Sequence, residues 1–218
     1  MRRLTTTSYA ILGWLDVRPW STYELARQMT RNLRFFWPRA TSRLFDEPKN
    51  LIAHGLASAD TELVGRRPRT VYTITPAGRD ALRAWHAGAS TEPSLDFEGL
   101  VHLYFGAAAT PAQLLAAVES AGRLADAIQE QGTRVAGEFL TGRYAFPERA
   151  HFSGFVFDFL WNYAELLRAW AVRSEAEIAA WRDTAPTDAK RDYAFAVFRA
   201  ALDSRPSTPL APWEKGKG

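Results

Sequence analysis

Residues 65–82 read GRRPRTVYTITPAGRDAL, and this stretch constrains the chain more than any other. From Arg69 to Thr75 the residues Val71, Thr73 and Thr75 alternate with Tyr72 and Ile74, the period of a β-strand. Before it, Gly65-Arg66-Arg67-Pro68 is a turn, and residues 56–64 supply an earlier strand, so the pair reads as a hairpin with a basic tip. Thr75-Pro76 then opens a helix, with Thr75 as N-cap and Pro76 at the first helical position, where a missing N–H costs nothing. Three arginines around Gly and Pro at a hairpin tip do nothing for folding, which points outward, to a polyanion.

The elements before the hairpin are helical. Tyr9, Ile11, Leu12 and Leu15 give an apolar helical pattern over residues 7–17, and Pro19 interrupts it. Ser21-Thr22-Tyr23-Glu24 is a capping box opening a second helix, with Leu25 and Met29 inward and Arg27, Arg31 and Arg34 outward. Phe35-Phe36-Trp37-Pro38 breaks it. A third helix is expected from about Ala40 to His54, with Leu44, Leu51 and Ile52 toward the core and Arg43, Asp46, Glu47, Lys49 and Asn50 turned elsewhere; Gly55 is its stop. Three helices, a basic hairpin and a fourth helix within 86 residues follow the order of a winged helix-turn-helix. In such a unit a helix enters the major groove and the hairpin reaches phosphates or the minor groove.

Charge agrees with that division. Residues 1–86 carry 14 Lys/Arg against 7 Asp/Glu, whereas residues 87–218 carry 13 against 17, within a formal net charge of +3. A basic front and an acidic rear suggest that one part meets a polyanion and the other does not. The rear half reads as helical. Leu114, Val118, Ala121, Ala125 and Ile128 recur every three or four residues. Phe152, Phe155, Val156, Phe159, Leu166 and their neighbours make a face too wide to leave wet, which suits another chain or a cavity. Tyr193, Phe195, Val197 and Phe198 suggest a last helix. The expected fold is mainly α with a small β-hairpin wing. Residues 1–88 form the winged helix-turn-helix domain, 94–203 a helical dimerisation and candidate effector domain, and 204–218 a flexible tail.

Several function classes find no support. With no cysteine among 218 residues there are no disulfides or thiolate metal sites. The four histidines, His54, His86, His102 and His151, lack metal-ligand spacing, and no catalytic, P-loop or dinucleotide motif is present. Neither a membrane-spanning run nor a signal peptide is evident, so the expectation is a cytoplasmic protein with no cofactor, no membrane partner and no enzymatic activity.

The strings STYEL, FFWPRATSRLFDEPKNLIAHGL and GRRPRTVYTITPAGRDAL resemble the PadR family of transcriptional regulators over nearly all of residues 5–86. The helices after Asp96 are similar to its C-terminal dimerisation domain in general pattern. The resemblance implies a homodimer, a palindromic double-stranded operator, and repression relieved by a small molecule such as a phenolic or other aromatic compound. The chain departs from the family pattern at Phe45, where tyrosine is usual, and at Pro48, which is expected to bend the third helix.

Candidate DNA contacts are Tyr23, Arg39, Thr41, Ser42, Arg43, Lys49, Arg66, Arg67 and Arg69. Arg43 and Lys49 could read bases or phosphates, Arg43 being the better guanine ligand, or could line a solvated helix face. Thr41 and Ser42 could bond phosphates or cap the helix. Tyr23 and Arg39 could hold phosphates or serve packing. Arg66, Arg67 and Arg69 form the wing set. Arg2 and Arg3 read as a ragged terminus rather than a DNA-touching arm. Phe155, Phe159, Trp161 and Tyr163 are the candidate effector lining, weighed against the plainer reading of an aromatic stripe as core. A competing function is a small-molecule binding protein that uses the winged domain as scaffold; another is a sequence-indifferent DNA-coating protein.

Overall fold

The computed structural model describes residues 2–38, 46–64 and 67–203. The chain divides into two compact units, Met1–Leu95 and Asp96–Gly218. No helix among the described residues is long and apolar enough to cross a membrane.

In the first unit, α1 (Thr6–Val17) leads to a two-residue strand, β1 (Trp20–Ser21), and then to α2 (Thr22–Leu33). Helix α3 (Glu47–Ala53), strands β2 (Ala57–Val64) and β3 (Arg67–Ile74) and helix α4 (Pro76–Ala87) follow. The sheet order is β1-β3-β2, all antiparallel, with Ser21 opposite Val71 and Glu62 opposite Arg69. Ile11, Leu12, Leu15, Leu25, Met29 and Leu51 are almost wholly buried and form the core against which the sheet lies. Trp20 joins them, its indole N–H donating to the Trp14 carbonyl at 2.7 Å. That bond lets a large aromatic side chain bury its one polar atom.

Local chemistry sets the ends of these elements. The Ser21 hydroxyl accepts the Glu24 N–H at 3.3 Å while the Glu24 carboxylate accepts the Ser21 N–H at 2.9 Å, the reciprocal box expected from the sequence. Helix α3 closes with Leu56 N–H on the Leu51 carbonyl and Gly55 N–H on that of Ile52, with Gly55 at φ +70°. This is a Schellman ending, and the left-handed position selects glycine. The third helix differs from expectation within the described residues. Pro48 lies in the first turn of α3 as described, and the expected stretch from Ala40 that it would bend falls on residues 39–45, outside the described residues. Glu47 is fully buried rather than turned outward, and Ile52 is 38% exposed rather than in the core.

Helix α4 begins as read, with Thr75 Oγ1 accepting the Gly78 N–H at 3.0 Å. The glycine has a further reason. A Cβ on Gly78 would sit 2.1 Å from the Leu56 carbonyl oxygen and 2.8 Å from Ile74 Cγ1. That carbonyl is fixed, because it accepts the Thr75 N–H at 3.1 Å. Gly78→Ala gains about 1 kcal/mol of helix propensity but must push α4 off the sheet, an overpacking cost of about 1–3 kcal/mol. The expected net outcome is a destabilised first unit, read as a fall of roughly 5 °C in its thermal midpoint.

The second unit is built on α6 (Pro111–Leu140) and α7 (Ala150–Ala179), with the short α5 (Glu98–Tyr104) before them and α8 (Asp188–Asp203) after. Gly122 faces Ala171 and Gly132 faces Trp161, so α6 and α7 run antiparallel. Leu114, Val118, Ala171 and Ile178 form the buried seam, and Ala121, Ala125 and Ala164 allow close approach farther along it. Arg168 bridges the pair by bonding Asp126 and Gln129. Helix α8 buries none of its residues.

Candidate nucleic-acid interface

The N-terminus of α2, helix α3 and the β2–β3 hairpin carry the candidate contacts of the first unit. Tyr23, one residue into α2, is 75% exposed, so it is not a packing residue of α1. With Ser21, Thr22, Glu24, Arg69 and Thr70 it lines a shallow depression where the start of α2 meets β3. Backbone N–H groups and the helix dipole favour negative charge at such a helix start. Glu24 works against a bare anion there. The side-chain and backbone hydrogen bonds from Ser21, aided by the Arg18 guanidinium, hold its carboxyl at about pKa 2 against the upward push of burial.

Arg69 is less free than a hairpin-tip arginine. It sits opposite Glu62 in the register, and its guanidinium lies 3.0 Å from that carboxylate and 3.9 Å from Glu24. Its charge is therefore partly compensated on the protein, and it also ties the wing to α2. Lys49 is exposed on α3. Arg39, Thr41, Ser42, Arg43 and Arg66 lie outside the described residues, as does the side chain of Arg67.

Helix α2 carries a basic stripe that the sequence-derived set of contacts omits. Arg27, Arg31 and the C-cap Arg34 follow Tyr23, already in that set, at intervals of three or four and are all exposed, so they share one helix face with it. The Arg34 guanidinium is steadied 4.4 Å above the Phe35 ring. Their spacing is the signal that could have found them, although periodicity alone marks them only as the outward side of a core helix.

In the second unit the four aromatic candidates do not converge. Phe155 and Phe159 are 77% and 65% exposed, and Phe159 stacks on Tyr163 with centroids 6.4 Å apart. Trp161 turns toward α6, stacks on Phe157 at 5.7 Å and bonds Glu165 through its indole N–H. A Cβ on Gly132 would meet its ring at 3.0 Å, so that glycine makes room for it. Phe152 and Leu166 extend the exposed face along α7. Among the described residues no group of His, Asp or Glu is placed to hold a metal ion.

The fold recurs in solved structures. Bacillus subtilis PadR in complex with operator DNA superposes with a TM-score of 0.65, covering 80% of this chain and 99% of that one at 20% identity. The chain has the PadR fold. A PadR-like transcriptional regulator from Bacillus cereus gives a TM-score of 0.67 over 81% of this chain and 98% of that one, at 15% identity. The PadR fold also appears in the Vibrio cholerae virulence activator AphA, at a TM-score of 0.55 and 19% identity over 80% of this chain and 98% of that one. In sequence, 78 residues are 31% identical to the negative transcriptional regulator PadR of Bacillus subtilis, spanning 35% of this chain and 43% of that protein. The aligned stretch is thus less than half the length of that relative. No family model matches the chain.

Proposed function

We propose that the chain is a sequence-specific DNA-binding transcriptional regulator, not an enzyme, that binds a palindromic double-stranded operator as a homodimer. The observation that carries this reading is the basic hairpin set beside α2 and α3, in a fold shared with a protein crystallised on operator DNA. Two copies of the region around α3 enter successive major grooves about one DNA turn apart. Tyr23, Arg39, Thr41, Ser42, Arg66, Arg67 and Arg69 hold phosphates, and Arg43 and Lys49 reach the base edges. The exposed aromatic face of α7 supports a helical dimer seam, since a monomer has no use for that much wet apolar surface.

The chain acts as a repressor released by a small aromatic effector. PadR has been crystallised with p-coumaric acid, and the second unit of this chain offers Phe155, Phe159, Trp161 and Tyr163 for such a ligand. An effector that binds one spacing of the two DNA-reading units better than another shifts the population away from the DNA-competent state.

The test is fluorescence anisotropy of the purified protein with the DNA upstream of its own reading frame and with an unrelated duplex, across a salt series. The expected result is a preference for the upstream DNA of roughly a thousandfold or more, weakening steeply as salt rises. Equal affinity for both duplexes identifies a coating protein, and no affinity for either leaves the winged unit as scaffold. Light scattering on the same sample should give the mass of a dimer, and added p-coumaric acid should weaken the complex.

A further inference from the structure

Residue 2 holds α3 at both ends. The Arg2 guanidinium lies 2.5 Å from Glu47 Oε2, in the first turn of the helix. The Arg2 carbonyl accepts a hydrogen bond from His54 Nε2, at the helix C-cap, at 2.8 Å. The same carboxylate reaches α1. Ser8 Oγ accepts the Thr5 N–H at 2.8 Å and donates its own proton to Glu47 Oε1, while Asn50 Nδ2 donates to that oxygen at 3.1 Å. Arg2, Ser8 in the first turn of α1 and Asn50 of α3 thus meet at one side chain that water does not reach.

A ragged basic terminus would leave Arg2 in solvent, and a DNA arm would aim it at phosphate. In the structure the guanidinium, though about half exposed, is already matched by a buried carboxylate. A buried carboxylate needs a cationic partner and filled lone pairs to remain charged, and Glu47 has both. We infer that Arg2 and Glu47 are positioning residues: Arg2 is a strap that fixes α3, with Lys49 upon it, against α1, and neither residue touches DNA. This inference rests on the DNA-binding reading for its consequence and on the geometry alone for the strap.

Arg2→Ala separates the two, because its own side chain is about half exposed and Glu47 keeps its hydrogen bonds from Ser8 and Asn50. Amide hydrogen exchange should speed up over residues 47–54 while the amides of α4 stay protected. Affinity for the upstream DNA should fall roughly tenfold, the size of a remote positional effect, with an unchanged slope of log affinity against log salt. A direct phosphate contact would instead lower that slope by about 0.9. Glu47→Gln serves as the second variant. It should weaken binding in the same way, whereas an arm freed for DNA would bind more tightly. Unchanged exchange over 47–54, a slope lower by about one in Arg2→Ala, or tighter binding by Glu47→Gln would each overturn the strap. Failure of the wild-type protein to bind its upstream DNA would instead remove the DNA-binding reading, and the exchange result would still decide the strap.

Discussion

Glu47→Ala is expected to cost the first unit about 3 kcal/mol. Three donors lose a charged acceptor at once: the Arg2 guanidinium, the Ser8 hydroxyl and the Asn50 amide. Arg2 can turn to water, because its side chain is half exposed, but Ser8 is fully buried and can recover only its weak interaction with Thr5. Chemical denaturation followed by tryptophan emission reports the change, since Trp14, Trp20 and Trp37 lie in this unit. The pH dependence gives an independent check. Burial pushes the Glu47 carboxyl up, but the hydrogen bonds from Ser8, Asn50 and Arg2 together bring it below the ordinary glutamate value. A group whose pKa is lower folded than unfolded stabilises the fold above its unfolded pKa, and that stabilisation is lost as pH falls through the folded value. The wild type should therefore lose stability below about pH 4.5, near the unfolded glutamate pKa, and Glu47→Gln should lose less over the same range. An identical acid profile in the two proteins would show that Glu47 is not held as a carboxylate.

Burial of Glu47 is also the clearest case of what the sequence alone conceals. A charged residue on a helix reads as outward by periodicity, and two of its three partners, Ser8 and Arg2, stand 39 and 45 positions away, beyond any local pattern. Strand β1 escapes sequence reading for a related reason. Two residues, Trp20 and Ser21, have no period, and they become a strand only because Tyr72 and Val71 lie beside them. Trp161 groups with Phe155 and Phe159 by aromaticity, although a position six residues from Phe155 falls on another side of a helix. What is legible rests on local physics: the Ser21–Glu24 box, the Thr75-Pro76 start of α4, the Gly55 ending and the spaced apolar seam of α6. The hairpin is legible as well, because the alternation from Arg69 to Thr75 follows a Gly-Pro turn signal, although the expected turn is too long: Arg67 and Pro68 already pair with Val64 and Leu63 as the start of β3.

Within the proposed interface the wing arginines offer the second large effect. The double variant Arg66→Ala/Arg67→Ala should lower affinity for the upstream DNA roughly fiftyfold or more at 0.1 M salt, because each phosphate left without its arginine weakens binding by a factor of about eight there. The slope of log affinity against log salt should fall by about 1.8 at the same time. Arg69→Ala is the informative comparison. Its guanidinium already faces Glu62 and Glu24, so fewer counterions leave the DNA when it docks, and its removal should lower the slope by well under 0.9. Neutralising Glu62 should separate the two roles. In Glu62→Gln the Arg69 charge is released toward solvent, so the affinity of that variant should rise and its slope steepen. Equal slopes for wild type and the Arg66/Arg67 double variant would show that the hairpin tip stays off the phosphates, and would place the basic stripe of Arg27, Arg31 and Arg34 on α2 next in line as the surface that meets DNA.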